Sequence, residues 1–255
     1  MLHLTRHGTA TARPPLLIAH GLFGSGRNWG TIARDLSAMR EVVTVDMRNH
    51  GESGWTETHD YPGMAADLAE VIEGAMGGRA AVMGHSMGGK AAMVLALTRP
   101  GLVERLIVAD IAPVAYPHHS HDEQFAAMRA VDPARVTSRT EAARLMTATP
   151  PALAAFLLQN LDLVHRRWRL NLDLLEREMP GILGFPEAGT PFAGPALFLA
   201  GAASDYIRPE HHTAIRTLFP AARITTIAGA GHWLHAEQPQ AVLDAVRGFL
   251  DAQTA

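Results

Sequence analysis

Cysteine is absent from the 255 residues. That one absence excludes disulfides, thiolate metal sites and a cysteine nucleophile, and it is compatible with a reducing compartment. Long apolar runs are missing as well. The longest are strand-sized, far short of the ~20 residues that span a bilayer. The stretch from Met1 to Pro15 lacks the apolar core of a secretory signal. Nor is there an excess of basic charge: 22 Lys and Arg stand against 25 Asp and Glu, a net of −3. A generally basic nucleic-acid binder is thereby excluded. The expectation left standing is a soluble, cytoplasmic, globular protein with no membrane span.

What is present is a strand–helix alternation. Leu16–Ala19, Val42–Val45, Ala80–Met83 and Leu106–Ala109 are short and almost wholly apolar, as strands buried on both faces should be. Between them, Asn28–Ser37, Tyr61–Ala75 and Met87–Leu97 carry apolar residues at helical spacing. Such alternation predicts a mostly parallel central sheet flanked by helices. From about 118 to 187 the rhythm changes to helix-period segments, including Ala152–Leu161 and Val164–Glu178. It then returns with Ala196–Ala200, Pro209–Leu218, Arg223–Ile227 and Gln238–Leu250. The pattern predicts one α/β domain over 1–255 with an inserted helical cap over about 118–187, acting as a lid.

The strongest chemical signal is Gly84-His85-Ser86-Met87-Gly88. It matches G-x-S-x-G with a strand before it and a helix after it, the context of a nucleophile elbow. The glycines permit a sharp turn that raises the Ser86 hydroxyl above the sheet. The same turn aims the Met87 N–H at a developing oxyanion. A serine nucleophile needs a base. His232, in Gly229-Ala-Gly-His-Trp-Leu-His235, follows the last strand and comes after the serine in chain order. His235 is expected to be a structural, hydrogen-bonded residue at the start of the final helix.

The third member must orient the imidazole and stabilise its protonated form. Asp110 ends the strand after the elbow, and Asp205 follows Ala196–Ala200. Both lie between Ser86 and His232, so chain order leaves the choice open. The loop His20-Gly-Leu-Phe-Gly-Ser25 after the first buried strand is where a second oxyanion N–H belongs, with Leu22 the candidate and Phe23 the alternative. Phe23, His85 and Trp233 are expected to line the substrate pocket.

Together these segments carry a resemblance. HGLFGSGRNW (20–29), VDMRNHGES (45–53), GHSMGGK (84–90), DIAPV (110–114), WRLNLDLLE (168–176) and AGAGHWLHAEQP (228–239) make the chain similar to α/β-hydrolases. Within them it resembles the bacterial YbfF-type esterases and their mitochondrial ABHD-eleven relatives. The resemblance implies an α/β-hydrolase fold and hydrolysis of carboxylic esters, with acyl thioesters as a further substrate class, and no cofactor. It favours Asp110 as the acid, with Asp205 as the alternative. A carbon–carbon bond hydrolase or lyase using the same three residues is one alternative function. A ligand receptor on the same scaffold is another.

Other patterns carry weaker expectations. Gly84–Lys90 also reads G-x-x-x-x-G-K, but Ala91 stands where a P-loop needs Ser or Thr. Lys90 is therefore expected to be a solvated or ion-paired helix residue. Arg6-His7-Gly8 resembles a phosphohistidine loop, yet Pro14 and Pro15 do not continue a helix from it. It is read as an edge strand. His118, His119 and His121, and the pair His211–His212, lack accompanying ligands at metal-site spacing, so no metal is expected. Asp46 and Arg48 are expected to brace the crevice, with a catalytic role for His50 second to that. His165–Arg169 forms a small basic patch in the cap, with Trp168 packed inward.

Overall fold

The computed structural model describes residues 1–117, 120–187 and 189–252. Five strands come first: β1 (Leu4–His7), β2 (Leu16–Ala19), β3 (Val42–Val45), β4 (Ala80–His85) and β5 (Val103–Ala109). The segment that follows adds the two-residue strands β6 (Leu161–Asp162) and β7 (Arg167–Trp168), which pair only with each other. β8 (Ala196–Gly201) and β9 (Ala222–Ile227) then return to the main sheet, whose order is β1-β3-β2-β4-β5-β8-β9. All neighbours in it run parallel except β1, which pairs antiparallel with β3 through Leu4–Val45 and His7–Val42. The Arg6-His7 motif thus lies on an edge strand.

Side chains alternate between two cores because successive strand residues point to opposite faces. Leu16, Ile18, Met83, Ile107 and Leu199 face one side, against helix α1 (Gly30–Leu36). Leu17, Val82, Leu106, Val108 and Phe198 face the other, against α2 (Tyr61–Ala75) and α3 (Met87–Thr98). α2 spans the residues its spacing predicts. Asp60 caps it by accepting from the Gly63 N–H at 2.7 Å, and Tyr61, Met64, Leu68 and Ile72 form its buried stripe.

The segment between β5 and β8 holds α4 (Asp122–Arg129), α5 (Arg139–Leu145), α6 (Pro151–Leu157), α7 (Leu172–Arg177) and α8 (Met179–Leu183). The helix expected over Val164–Glu178 is not formed as one piece. Asp162, buried, accepts from the N–H groups of Val164 and His165 at 3.2 Å each and from His165 Nδ1 at 2.9 Å. Those bonds fold a tight turn in place of helix, and the β6–β7 hairpin results. Trp168 is packed inward, as expected. After β8 the chain forms α9 (His212–Leu218), α10 (Leu234–Glu237) and α11 (Pro239–Asp251), and α11 joins α1 on its face of the sheet. Among the described residues no helix is long and apolar enough to cross a membrane.

Candidate active site

The elbow forms at the carboxyl end of β4. Ser86 adopts φ 52° and ψ −120°, a left-handed conformation that a non-glycine residue rarely takes. The flanking glycines make this possible by removing side chains. A Cβ on Gly84 would lie 2.2 Å from the Gly88 carbonyl oxygen, and one on Gly88 would lie 2.4 Å from that of His20. The Ser86 N–H is anchored to the Ala109 carbonyl at 3.0 Å. Met87 supplies the first amide of α3, a position with no intrahelical acceptor.

Asp110 sits at the end of β5, fully buried, with its own φ at 51°. Its Oδ2 lies 2.8 Å from His232 Nδ1 and also accepts from the Ser204 hydroxyl. Its Oδ1 accepts from the Gly201 N–H at 2.9 Å. Three donors on one carboxylate offset the penalty of burying it and fix its direction. Asp205 lies elsewhere: it is 53% exposed and ion-paired with Arg208 at 3.0 Å. Of the two candidate acids, the fold brings Asp110 to His232.

The His232 ring is held on three sides. Tyr206 stacks on it at 4.1 Å between centroids, and the His232 backbone carbonyl accepts from His85 Nε2 at 2.8 Å. That bond makes His85 an Nε2–H tautomer. Burial, with His232 and His235 nearby, pushes the His85 pKa well down, which keeps the ring neutral. Ser86, His232, Leu22, Phe23, His85 and Trp233 share one cavity of about 60 Å³. A second, of about 20 Å³, also reaches Ser86 and is lined by Met87, Lys90, Tyr61 and Tyr116 among others.

The two oxyanion candidates on the β2 loop differ. Phe23, at φ 60°, donates its N–H to His50 Nε2 at 3.2 Å, so that amide is already engaged. Among the described residues no such bond engages the Leu22 N–H. Around it lies a set of supports that sequence reading missed. His50 Nδ1–H donates to the Arg48 carbonyl at 2.9 Å, and His20 Nε2 accepts from the Met47 N–H at 2.9 Å. Burial lowers the pKa of both rings, so both stay neutral and keep fixed tautomers. Asn160 Nδ2, from the segment after β5, donates to the Phe23 carbonyl at 2.7 Å. No local signal marks Asn160, which lies 137 positions from its partner.

Asp46 and Arg48 act as braces, as expected. Asp46 accepts from the Gly26 and Glu52 N–H groups at 2.8 and 2.9 Å. Arg48 grips Asp67 with two bonds of 2.6 and 2.9 Å. Lys90 departs from expectation. It is 1% exposed, and its Nζ donates to the carbonyls of Ile182, Leu183 and Gly184 at the end of α8. The Tyr61 and Tyr116 rings flank it at 5.6 and 4.8 Å. An amphipathic count cannot see this, because α3 is buried on nearly every side. His235 also differs from the hydrogen-bonded residue expected. It stacks on Trp29 at 4.2 Å, and its Nδ1 has no hydrogen-bond partner among the described residues. His211 Nδ1 contacts the Tyr206 carbonyl at 3.1 Å. His118 and His119 lie outside the described residues.

Residues 14–239 match the family model described as the alpha/beta hydrolase fold. The chain is 42% identical over 254 residues to the sn-1-specific diacylglycerol lipase ABHD11 of Mus musculus, covering 95% of this chain and 82% of the mouse protein. It is 41% identical over 239 residues to Esterase YbfF of Escherichia coli (strain K12), covering 93% of each. A solved structure, a marine microorganism esterase, superposes with a TM-score of 0.91 at 37% identity, covering 97% of this chain and 98% of that one. With this sheet, this elbow and similarity over nearly its whole length, the chain belongs to the α/β-hydrolase fold family, alongside the YbfF esterase and the ABHD11 lipases.

Proposed function

We propose that the protein hydrolyses carboxylic esters through an acyl-enzyme on Ser86. The observation that carries this reading is the 2.8 Å contact of His232 Nδ1 with buried Asp110, on a ring that shares a cavity with the elbow serine. The relatives named esterase and lipase support the class of reaction.

In the proposed cycle His232 Nε2 removes the Ser86 hydroxyl proton as Oγ attacks the ester carbonyl carbon. The carbonyl π electrons move to oxygen, and the Met87 and Leu22 N–H groups stabilise that oxyanion. Asp110 holds the imidazole in the Nδ1–H tautomer and stabilises the imidazolium that forms. Collapse expels the alcohol, which takes the proton from His232 Nε2. Water then attacks the acyl-enzyme by the same steps, releasing the acid and restoring Ser86. The residues between β5 and β8, about 118–187, serve as the lid over this site, with Phe156 and Leu153 presented to the cavity. No cofactor enters any step.

The test is kcat/KM on p-nitrophenyl esters of increasing acyl length together with one acyl-CoA, with Ser86→Ala as control. Turnover lost by at least about 10⁴-fold in Ser86→Ala and in His232→Ala is the expected outcome. An acyl-CoA turned over within the same range would extend the class to thioesters. Absence of turnover on every member by folded protein would overturn the reading.

A further inference from the structure

The cavity that Ser86 and His232 share is small, about 60 Å³, while a groove of about 320 Å³ lies in the segment between β5 and β8. Small-molecule sites usually need about 300–1,000 Å³. The cavity beside Ser86 falls well short of that by itself, and with the groove added it enters the range.

The groove runs between α4, the turn after α5 and the start of α6. Ala126 and Ala127 of α4, with Ala148, leave the room, because each side chain ends at Cβ. Leu145, 46% exposed, and Met146 supply apolar bulk, and among the described residues Glu123 is the one charged residue on the wall. Such a wall suits an uncharged hydrocarbon, which would also cover Leu145.

One residue belongs to both spaces. Leu153 lines the cavity beside Ser86 and lines the groove as well. On α6 it stands three residues before Phe156, so the two share a helix face. Phe156 packs near Trp233, with ring centroids 5.7 Å apart. Leu153 is only half-buried, and it is unbranched at Cβ, so its side-chain torsions can change without moving the helix. Resting on the ester-hydrolysis reading above, we propose that Leu153 is a specificity-determining gate between the two spaces. An unbranched hydrocarbon chain of the ester, on its acyl or its alcohol side, passes Leu153 and lies in the groove between α4 and α6.

Two pairs of esters, each kept below micelle-forming concentration, test this by kcat/KM. Ethyl decanoate against ethyl butanoate lengthens the acyl side, and decyl acetate against butyl acetate lengthens the alcohol side. The expected result is a long-to-short ratio of about tenfold or more in at least one pair, because each buried methylene adds binding. Leu153→Ala joins the two spaces and should raise that ratio about threefold or more. Leu153→Trp closes the way, and Ala126→Trp fills the groove from an exposed helix position that does not line the cavity beside Ser86. Each of these two should lower the ratio about tenfold, and the pair that responds names the side of the ester. Opposite shifts from two substitutions at one position, matched by a third away from Ser86, are not what a merely loosened segment produces. A ratio near one in both pairs would overturn the proposal while leaving ester hydrolysis intact, and so would a high ratio that folded Ala126→Trp protein retains. Turnover of none of the four esters by folded protein would remove the ester-hydrolase reading itself, an outcome distinct from equal rates.

Discussion

The ring of His85 is bonded to the backbone of His232: its Nε2–H donates to the His232 carbonyl at 2.8 Å. The residue just before the elbow serine therefore fixes the height of the loop that carries the imidazole, across 147 positions of sequence. His85 also meets Trp29 and His235, so one buried ring joins the elbow, the β2 loop and the loop after β9. Ser86 and His232, the proposed nucleophile and base, are thus positioned against each other by a shared part, and not only by the sheet beneath them.

The two aspartates should behave oppositely. Asp110→Asn keeps the shape but replaces the acceptor that orients His232 with an amide, and kcat should fall on the order of 10³–10⁴-fold. Asp205→Asn, which touches Arg208 at the surface, should leave kcat within about threefold. Comparing the two variants on one chromogenic ester decides it, and a large loss in Asp205→Asn alone would reverse the assignment.

Asn160 should act through the Phe23 peptide. Asn160→Ala removes the donor to the Phe23 carbonyl while leaving the Leu22 amide in the chain. A loosened oxyanion loop should lower kcat by about 10–100-fold with little change in KM, less than outright loss of an oxyanion donor. A rise in KM at unchanged kcat would instead mean that Asn160 shapes binding.

Lys90 should matter for the segment it holds. Lys90→Met removes the ammonium from the carbonyls of Ile182, Leu183 and Gly184, of which Ile182 keeps the Tyr61 hydroxyl and Leu183 the Tyr116 N–H, a loss of about 1–3 kcal/mol in local stability. Amide exchange over 181–187 should accelerate about tenfold or more relative to the sheet. Unchanged exchange there would show that the Tyr61 hydroxyl on the Ile182 carbonyl, at 2.5 Å, and the Tyr116 N–H on the Leu183 carbonyl, at 3.0 Å, hold the segment without it.

Stability should fall in mild acid. Burial holds His59 and His235 at about 4 and also lowers His20, His50 and His85. Unfolded histidine binds a proton near 6.5, whereas folded His59 and His235 resist it until about 4 and the other three are shifted the same way. Unfolding therefore takes up protons between those values, and stability is lost as pH falls through that window, at about 1.4 kcal/mol per unit for each such ring. The melting temperature measured from pH ~7.5 to ~5 should drop, and His59→Gln should shrink the drop. A flat profile would contradict it.

Much of this protein is legible in its residues. Strands buried on both faces must be apolar throughout, so β2, β3, β4, β5 and β8 announce themselves. The elbow is legible because only Gly–x–Ser–x–Gly combines a sharp strand–helix turn with a raised hydroxyl. That Leu22 and His232 line one cavity with Ser86 follows from strand ends in chain order, since loops at those ends must converge on the same crevice.

What the sequence alone could not decide depends on side chains meeting across long separations. Asp110 and Asp205 are equivalent in chain order, and only the packing of β5 against β8 turns one carboxylate onto His232 and leaves the other at the surface. Lys90 reads as a solvated helix charge until α8 is laid over it, when three backbone carbonyls become its partners. The turn at Asp162 wins over a helical period because a buried carboxylate must find donors, and the nearest are the N–H groups two and three residues on. Hydrophobic periodicity is local and survives in one dimension; the pairing of buried polar groups is not local, and only the folded chain resolves it.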